Sequence, residues 1–266
     1  MNSPDAPPQL LAVVLPVYNE AENIATCLRK LYAALLVTPH LLIVCYDFDA
    51  DSTLPAIRAM PDAPPTVRLV RNTLGAGVAH ALQAGFDAAL AAGADVVVTS
   101  MADLSDPPEV IPALAARIRA GAGVVSGSRY MKGGSQTGGP FLKRTLSRLA
   151  GLSLYWIARL PTHDATTNFR AYSAAFLRST RIRSRHGFEV ALELTTRAHR
   201  KGFKVDEVPS SWQDRSAGSS RFRLWKWLPR YLYWYMLAMA VPLILWTLLL
   251  ASLVATTLLV SQFIAS

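Results

Sequence analysis

Short apolar runs alternate with amphipathic stretches through the first half of the chain. Leu10–Val17, His40–Tyr46, Val67–Arg71 and Val96–Val98 are compact runs rich in β-branched residues, each closed by polar or turn-forming residues. Such runs predict buried parallel strands. Between them, Ala21–Leu36 repeats Ile24, Leu28, Leu31 and Leu35 at helical spacing, and helices are predicted over Leu54–Met60 and Val78–Ala92. A fifth strand follows at Gly121–Ser126, then helices at Phe141–Arg159 and Glu189–Lys201, and a strand at Phe203–Val208. Strand–helix alternation with right-handed crossovers predicts a doubly wound, mostly parallel α/β sheet.

In an open sheet of this kind, ligands bind beyond the carboxyl ends of the strands. Three strand ends are polar: Pro16–Glu20, Asp47–Asp51 and Asp103–Asp106. Asp103 stands where a phosphorylated ligand and a divalent cation are expected; the competing reading is that Asp103 and Ser105 only cap the helix starting near Pro107. The carboxylates at Asp47, Asp49 and Asp51 carry the same pair of readings, a site or an acidic turn that caps a helix. The dinucleotide fingerprint Gly-x-Gly-x-x-Gly after the first strand is absent, as is a nucleoside-triphosphatase loop. The site is read as one for a nucleotide held by carboxylates, with a hard cation bridging its phosphates.

Composition alters this picture at one end. The 266 residues are 52% hydrophobic, and no charged residue follows Arg230. From Leu243 to Ile264 the run would span about 33 Å as helix, enough for one membrane crossing. The preceding Arg221–Tyr231 mixes cations with aromatic rings, as interfacial segments do. With the basic flank on its N-terminal side, the positive-inside rule predicts a cell-membrane protein with a single C-terminal span and a cytoplasmic catalytic domain. Residues 1–9 are expected to be disordered and lack the pattern of a signal peptide, 10–220 to form the catalytic domain, 221–241 an amphipathic juxtamembrane segment, and 242–266 the transmembrane helix.

The net charge of +9 points to anionic lipid or a phosphorylated substrate. No aromatic–basic run suggests a nucleic-acid reader, and none is expected as a partner. Phe141–Arg159 carries Leu142, Leu146, Leu149, Leu152, Tyr155 and Trp156 on one face and Lys143, Arg144 and Arg148 on the other. It reads either as a membrane-surface helix or as an ordinary docked one. Cys27 and Cys45 fall on apolar patterns without metal-ligand spacing and are read as core thiols.

Taken together, Leu15–Ile24, Arg71-Asn72 with Gly75 and Gly77, Ala102–Glu109, Gly127–Gly134, Asn168–Tyr172, Glu207-Val208-Pro209 and Asp214-Arg215 with Gly218 and Arg221 resemble the family 2 glycosyltransferases of glycosyltransferase-A fold. The nearest group is the polyprenyl-phosphate (dolichol-phosphate) mannose synthases, and the resemblance covers about Leu10 to Tyr235. It implies an inverting transfer of a hexose, mannose favoured, from a nucleotide sugar to a polyprenyl phosphate with Mg²⁺ or Mn²⁺ as cofactor. UDP-glucose or UDP-N-acetylglucosamine as donor, and a catalytically silent membrane adaptor, stand as alternatives. By the same resemblance Pro16, Tyr18, Glu20, Asp47 and Ala102 frame the donor. Asp103 binds the metal beside Ser105; Arg129, Lys132 and Arg148 meet the acceptor phosphate; and Arg215 and Arg221 handle phosphates. Asp103, Arg129 and Arg215 form the expected catalytic set. Two positions depart from the family pattern: Met101 replaces the first carboxylate of Asp-x-Asp, and Tyr46 the first of an earlier Asp-Asp pair. Asp49 and Asp51 are the candidates to compensate.

Overall fold

A computed structural model describes residues 9–184, 187, 189–214 and 224–265. In chain order the elements are β1 (Leu11–Pro16), α1 (Ala21–Ala34), β2 (His40–Tyr46), α2 (Thr53–Arg58), β3 (Val67–Arg71), α3 (Val78–Ala91) and β4 (Val96–Thr99). A 3-10 turn at Pro108–Val110 then leads into α4 (Ile111–Arg119), β5 (Val124–Ser128), β6 (Ser135–Thr137) and α5 (Phe141–Trp156). The last elements are β7 (Arg170–Ser173), α6 (Ala174–Ser179), α7 (Val190–Arg200), β8 (Val205–Pro209), β9 (Ser211–Gln213) and α8 (Leu224–Ala265).

Seven strands form the main sheet in the order β3-β2-β1-β4-β7-β5-β8, and β6 pairs with β9 in a separate ribbon. β3, β2, β1 and β4 run parallel, and β7 lies antiparallel between β4 and β5. The mostly parallel α/β architecture expected from the pattern is therefore present, with one reversed strand.

Strand alternation explains the two cores. Leu11, Val13 and Leu15 of β1 and Leu42 and Val44 of β2 face α1, α2 and α4, meeting Ile24, Leu28, Ile57 and Leu114. Ala12 and Val14, with Ile43 and Cys45, face α3, α6 and α7, meeting Leu82, Phe86, Phe176 and Leu194. A run that is apolar on both faces is what a sheet covered by helices on both sides requires. Helix α3 lies unusually close, because a Cβ at Gly85 would fall 2.3 Å from Val14 Cγ1. Cys27 and Cys45 are buried free thiols, each pushed up to about 12 chiefly by burial.

The C-terminal expectation is corrected. Residues 242–266 do not form a separate span; helix runs unbroken for 42 residues from Leu224 through Pro242 to Ala265. Its first turns dock on the domain, where Trp234 and Met239 pack with Leu154, Leu160 and Leu192. Trp234 Nε1 donates to Ser184 Oγ (3.0 Å), and Tyr235 and Ser153 share a hydroxyl bond (2.9 Å). Farther along, Thr247, Thr256 and Thr257 interrupt the apolar surface and return their hydroxyls to backbone carbonyls of the preceding turn. Among the described residues no helix is long and apolar enough to cross a membrane, which removes the predicted single span and the topology built on it.

Candidate active site

The carboxyl ends of β1, β2 and β4 lie side by side, so the loops that leave them meet above one edge of the sheet. The loop after β1 is tied to the loop after β2. Asn19, at a left-handed φ of 55°, donates its backbone N–H to both oxygens of Asp51 (3.1 and 3.2 Å). Asn19 Oδ1 in turn accepts from Ser52 N, and Thr53 Oγ1 from Glu20 N. Asp51 also accepts from Thr53 N at 2.8 Å and is fully buried. It is thus a structural clamp between two loops, while Asp49 pairs with Arg71 at 3.1 Å on the surface. Both oxygens of Asp51, and Oδ1 of Asp49, are thereby engaged by partners within the chain.

Of the residues assigned to the donor, Tyr18 and Asp47 lie at this edge. Tyr18 is exposed and meets the Phe48 ring edge-on at 5.3 Å. Asp47 is held on both oxygens, Oδ1 by Asn72 Nδ2 (2.7 Å) and Oδ2 by Gly77 N (2.8 Å). Gly77 adopts φ 117°, a conformation that favours glycine. The Asn72–Gly77 turn therefore fixes Asp47 to the N-terminus of α3. Glu20 begins α1 and bonds Asn23 Nδ2 (3.2 Å). Pro16 is a buried strand end, and Ala102 lies in the core with 1% exposure, so its side chain does not line the site.

The loop after β4 carries Asp103. Its Oδ1 accepts from Ser105 N (3.2 Å) and Ser105 Oγ (2.6 Å), and Leu104 between them sits at φ 63°. The capping alternative does not hold: Pro107 precedes the 3-10 turn and neither that turn nor α4 has a side-chain cap. Asp106 closes the same loop, Oδ2 accepting from Met101 N (3.0 Å) and Ser100 Oγ (3.2 Å). Burial, aided by Asp103, pushes the Asp106 carboxyl up to about 7. A cavity of about 350 Å³ opens beside this loop against α1, lined by Cys27, Lys30, Leu31, Ser105, Asp106 and Gln213 among others.

Asp103 and Ser105 offer one carboxylate and one hydroxyl. Hard oxygen donors of this kind fit a hard divalent cation that takes its remaining positions from water and phosphate. Among the described residues no group of three or more His, Cys, Asp or Glu side chains could hold a metal.

The cations expected at the acceptor are divided. Arg129 follows β5 and forms a two-pronged pair with Asp164, Nε to Oδ2 at 2.6 Å and Nη2 to Oδ1 at 3.0 Å. Its Nη2 also reaches Ser147 Oγ on α5 and Thr166 Oγ1. Burial opposes the charge on Asp164, but the Arg129 guanidinium and its hydrogen bonds prevail and hold that carboxyl below its usual range. Lys132 and Arg148 are exposed. Arg215 and Arg221 lie outside the described residues. Two pairings have no signal in the sequence: Asp164 with Arg129, and His163 Nδ1 with Glu207 Oε1 (2.5 Å), the imidazole stacked on Tyr155 at 3.8 Å.

Residues 12–180 match the family described as Glycosyl transferase family 2. The chain belongs to this family. It is 32% identical to the polyprenol monophosphomannose synthase of Mycolicibacterium smegmatis, over 81% of this chain and 82% of that one. It is also 32% identical to the undecaprenyl-phosphate mannosyltransferase of Micrococcus luteus, over 78% of this chain and 85% of that one. The dolichol-phosphate mannosyltransferase of Pyrococcus furiosus is 30% identical, over 80% of this chain and 59% of that one. Among solved structures, glucosyl-3-phosphoglycerate synthase from Mycobacterium tuberculosis, with Mn²⁺, UDP and glucosyl-3-phosphoglycerate, superposes with a TM-score of 0.61 at 17% identity, covering 87% of this chain and 80% of that one. That likeness shows the fold. The chain is thus a glycosyltransferase of family 2 with a glycosyltransferase-A type α/β domain.

Proposed function

We propose that this glycosyltransferase transfers a hexose, mannose by its relatives, from a nucleotide sugar to a polyprenyl phosphate. The observation that carries the reading is that the loops bearing Tyr18, Asp47 and Asp103 leave neighbouring strand ends at one sheet edge, in a chain about one-third identical to synthases named for that lipid class. Tyr18 and Phe48 offer aromatic surface to the base, and Asp47, fixed by Asn72 and Gly77, an acceptor for base or ribose donors. Asp103 and Ser105 would hold Mg²⁺ or Mn²⁺, which when bound offsets charge on the leaving nucleoside diphosphate. Lys132 and Arg148, both exposed, would face the acceptor phosphate, with the Arg129 guanidinium held behind them by Asp164 and adding its charge.

A phosphate monoester has its second pKa near 6. Its oxygen is therefore largely ionised at neutral pH and needs no dedicated base. That oxygen forms the bond to the anomeric carbon as the bond to the nucleoside diphosphate breaks, and a single displacement inverts the configuration. The site residues contribute by orienting the partners and by electrostatics. An apolar chain on the acceptor also fits α5, whose Leu142, Leu149 and Trp156 are exposed at 53%, 59% and 72%. These side chains face outward while the same helix docks through Gly151 and Leu154, so parts of both readings of α5 hold.

The test is incubation of the purified protein with labelled GDP-mannose, UDP-glucose or UDP-N-acetylglucosamine and a polyprenyl phosphate, followed by solvent extraction. Label from GDP-mannose is expected in the organic phase, and Asp103→Ala is expected to abolish it. Label only from a UDP-sugar would change the donor. Full activity of Asp103→Ala would remove its proposed metal role.

A further inference from the structure

The loop that carries Asp103 is closed on itself by a residue with no role in the reading above. We propose that Asp106 is a positioning residue whose carboxylate fixes the Ser100–Asp106 loop so that Asp103 is presented to the cation. This rests on the proposed metal role of Asp103 and adds to it.

The geometry is that of a ring. Asp106 Oδ2 accepts from Met101 N at 3.0 Å and from Ser100 Oγ at 3.2 Å, joining the last residue of the loop to its first two. Inside the ring, Asp103 Oδ1 gathers Ser105 N and Ser105 Oγ. The turn between them needs Leu104 at φ 63°, a left-handed conformation unfavourable to an L residue that holds only where neighbours restrain it. Asp106 supplies that restraint from one end. From the other, Gln213 N of β9 donates to Ser105 O at 3.3 Å. Asp106 is 9% exposed and borders the cavity beside α1.

The substitution at Met101 gives this restraint its weight. With one carboxylate where the family pattern has two, the protein's share of the coordination falls to Asp103 and the Ser105 hydroxyl bonded to it, so the direction of Asp103 carries more weight. A binding group must be held within about 0.5 Å of its productive position by the residues that support it. Met101 contributes through its backbone N–H, which any residue but proline supplies, so the loop closes without the missing side chain.

The test measures Mn²⁺ binding to the full chain in the presence of GDP, from the spin-resonance signal of the free ion, with circular dichroism as a check on folding. Removing a supporting partner of a ligand typically costs 10–100-fold in metal affinity. Asp106→Ala is expected to weaken Mn²⁺ binding at least about tenfold, with the donor KM raised and kcat largely recovered at saturating Mn²⁺. Asp106→Asn, whose amide oxygen can accept both bonds, is expected within about 1.5-fold of the parent. Should Asp106→Ala not fold, Ser100→Ala, which removes one of the two bonds, is expected to weaken binding about threefold. Wild-type Mn²⁺ affinity in the folded Asp106→Ala variant, or in Ser100→Ala if that is the one that folds, overturns the inference where Asp103→Ala has lost the ion. If Asp103→Ala itself binds normally, the metal reading fails first and the inference with it.

Discussion

Replacing Asp164 by alanine isolates the buried ion pair behind the proposed acceptor site. The Asp164 side chain is fully buried and that of Arg129 is 11% exposed. Asp164 accepts from Arg129 at three positions and from Thr166 N and Thr167 N. After the substitution the guanidinium retains only the Ser147 and Thr166 hydroxyls, at 3.3 and 3.1 Å. Leaving one charge of a buried pair without its partner costs about 3–5 kcal/mol. For a domain of this size each kcal/mol lowers the melting temperature by roughly 2–4 °C, so a fall of about 6–20 °C is expected. Removing both charges, as in Arg129→Met with Asp164→Leu, is expected to be milder, because apolar replacement of a buried pair is often near neutral. Thermal and urea unfolding of the parent, both single variants and the double variant give the coupling energy directly. A melting temperature within about 2 °C of the parent for Asp164→Ala, or a coupling below about 0.5 kcal/mol, would refute the reasoning.

The same pair predicts the acid limb of stability. Asp164 has a depressed carboxyl pKa in the fold. Its contribution is complete above the unfolded value of about 3.9 and disappears as pH falls through the folded value, so the double variant is expected to lose less stability than the parent below about pH 4. Gly85→Ala would drive a methyl to 2.3 Å from Val14 Cγ1; a loss of about 1–3 kcal/mol is expected, partly restored by adding Val14→Ala, and an unchanged urea midpoint would contradict the close approach. Asp51→Ala frees the Asn19 and Thr53 amides at about 1–3 kcal/mol. Because it loosens the proposed base-side loop, it is expected to raise the donor KM about tenfold with kcat little changed; an unaltered KM would separate that loop from the donor.

What the sequence made legible depended on whether a signal was local. β1, β2 and β4 are apolar on both faces, and that pattern needs no knowledge of the rest of the chain. β7 shows no strand pattern because Arg170, fully buried, begins it. A guanidinium in a strand reads as loop until its partners are seen, and these are the Asp164 and Thr167 carbonyls and the Thr195 hydroxyl. β6 and β9 are three residues each with mostly exposed polar side chains, too short for any period to appear. The positions of Tyr18, Asp47 and Asp103 follow from strand order and were readable. The tasks of Asp51, Asp106 and Asp164 were not, since a carboxylate that binds a ligand and one that fastens a loop have the same spacing.

Helix α5 shows why apolar spacing alone does not give the docked face. Its leucines recur at helical intervals, yet Leu142 and Leu149 are exposed while Gly151 is buried against the chain at His163. A Cβ at Gly151 would meet His163 O at 2.1 Å, so the helix approaches the domain through its smallest residue, and Ser147, on the same side, reaches Arg129 and Tyr130. Close packing favours the small-residue side and leaves Leu142, Leu149 and Trp156 outward, while Leu154 is buried under α8. The uncharged run after Arg230 shows the converse. It resembled a free-standing span, yet its helix begins at Leu224 and buries Trp234 and Met239 on α5 and α7. Hydropathy measures the tendency to leave water. It does not say whether protein or lipid replaces the water, and in both helices the answer came from which residues the neighbouring elements could accommodate.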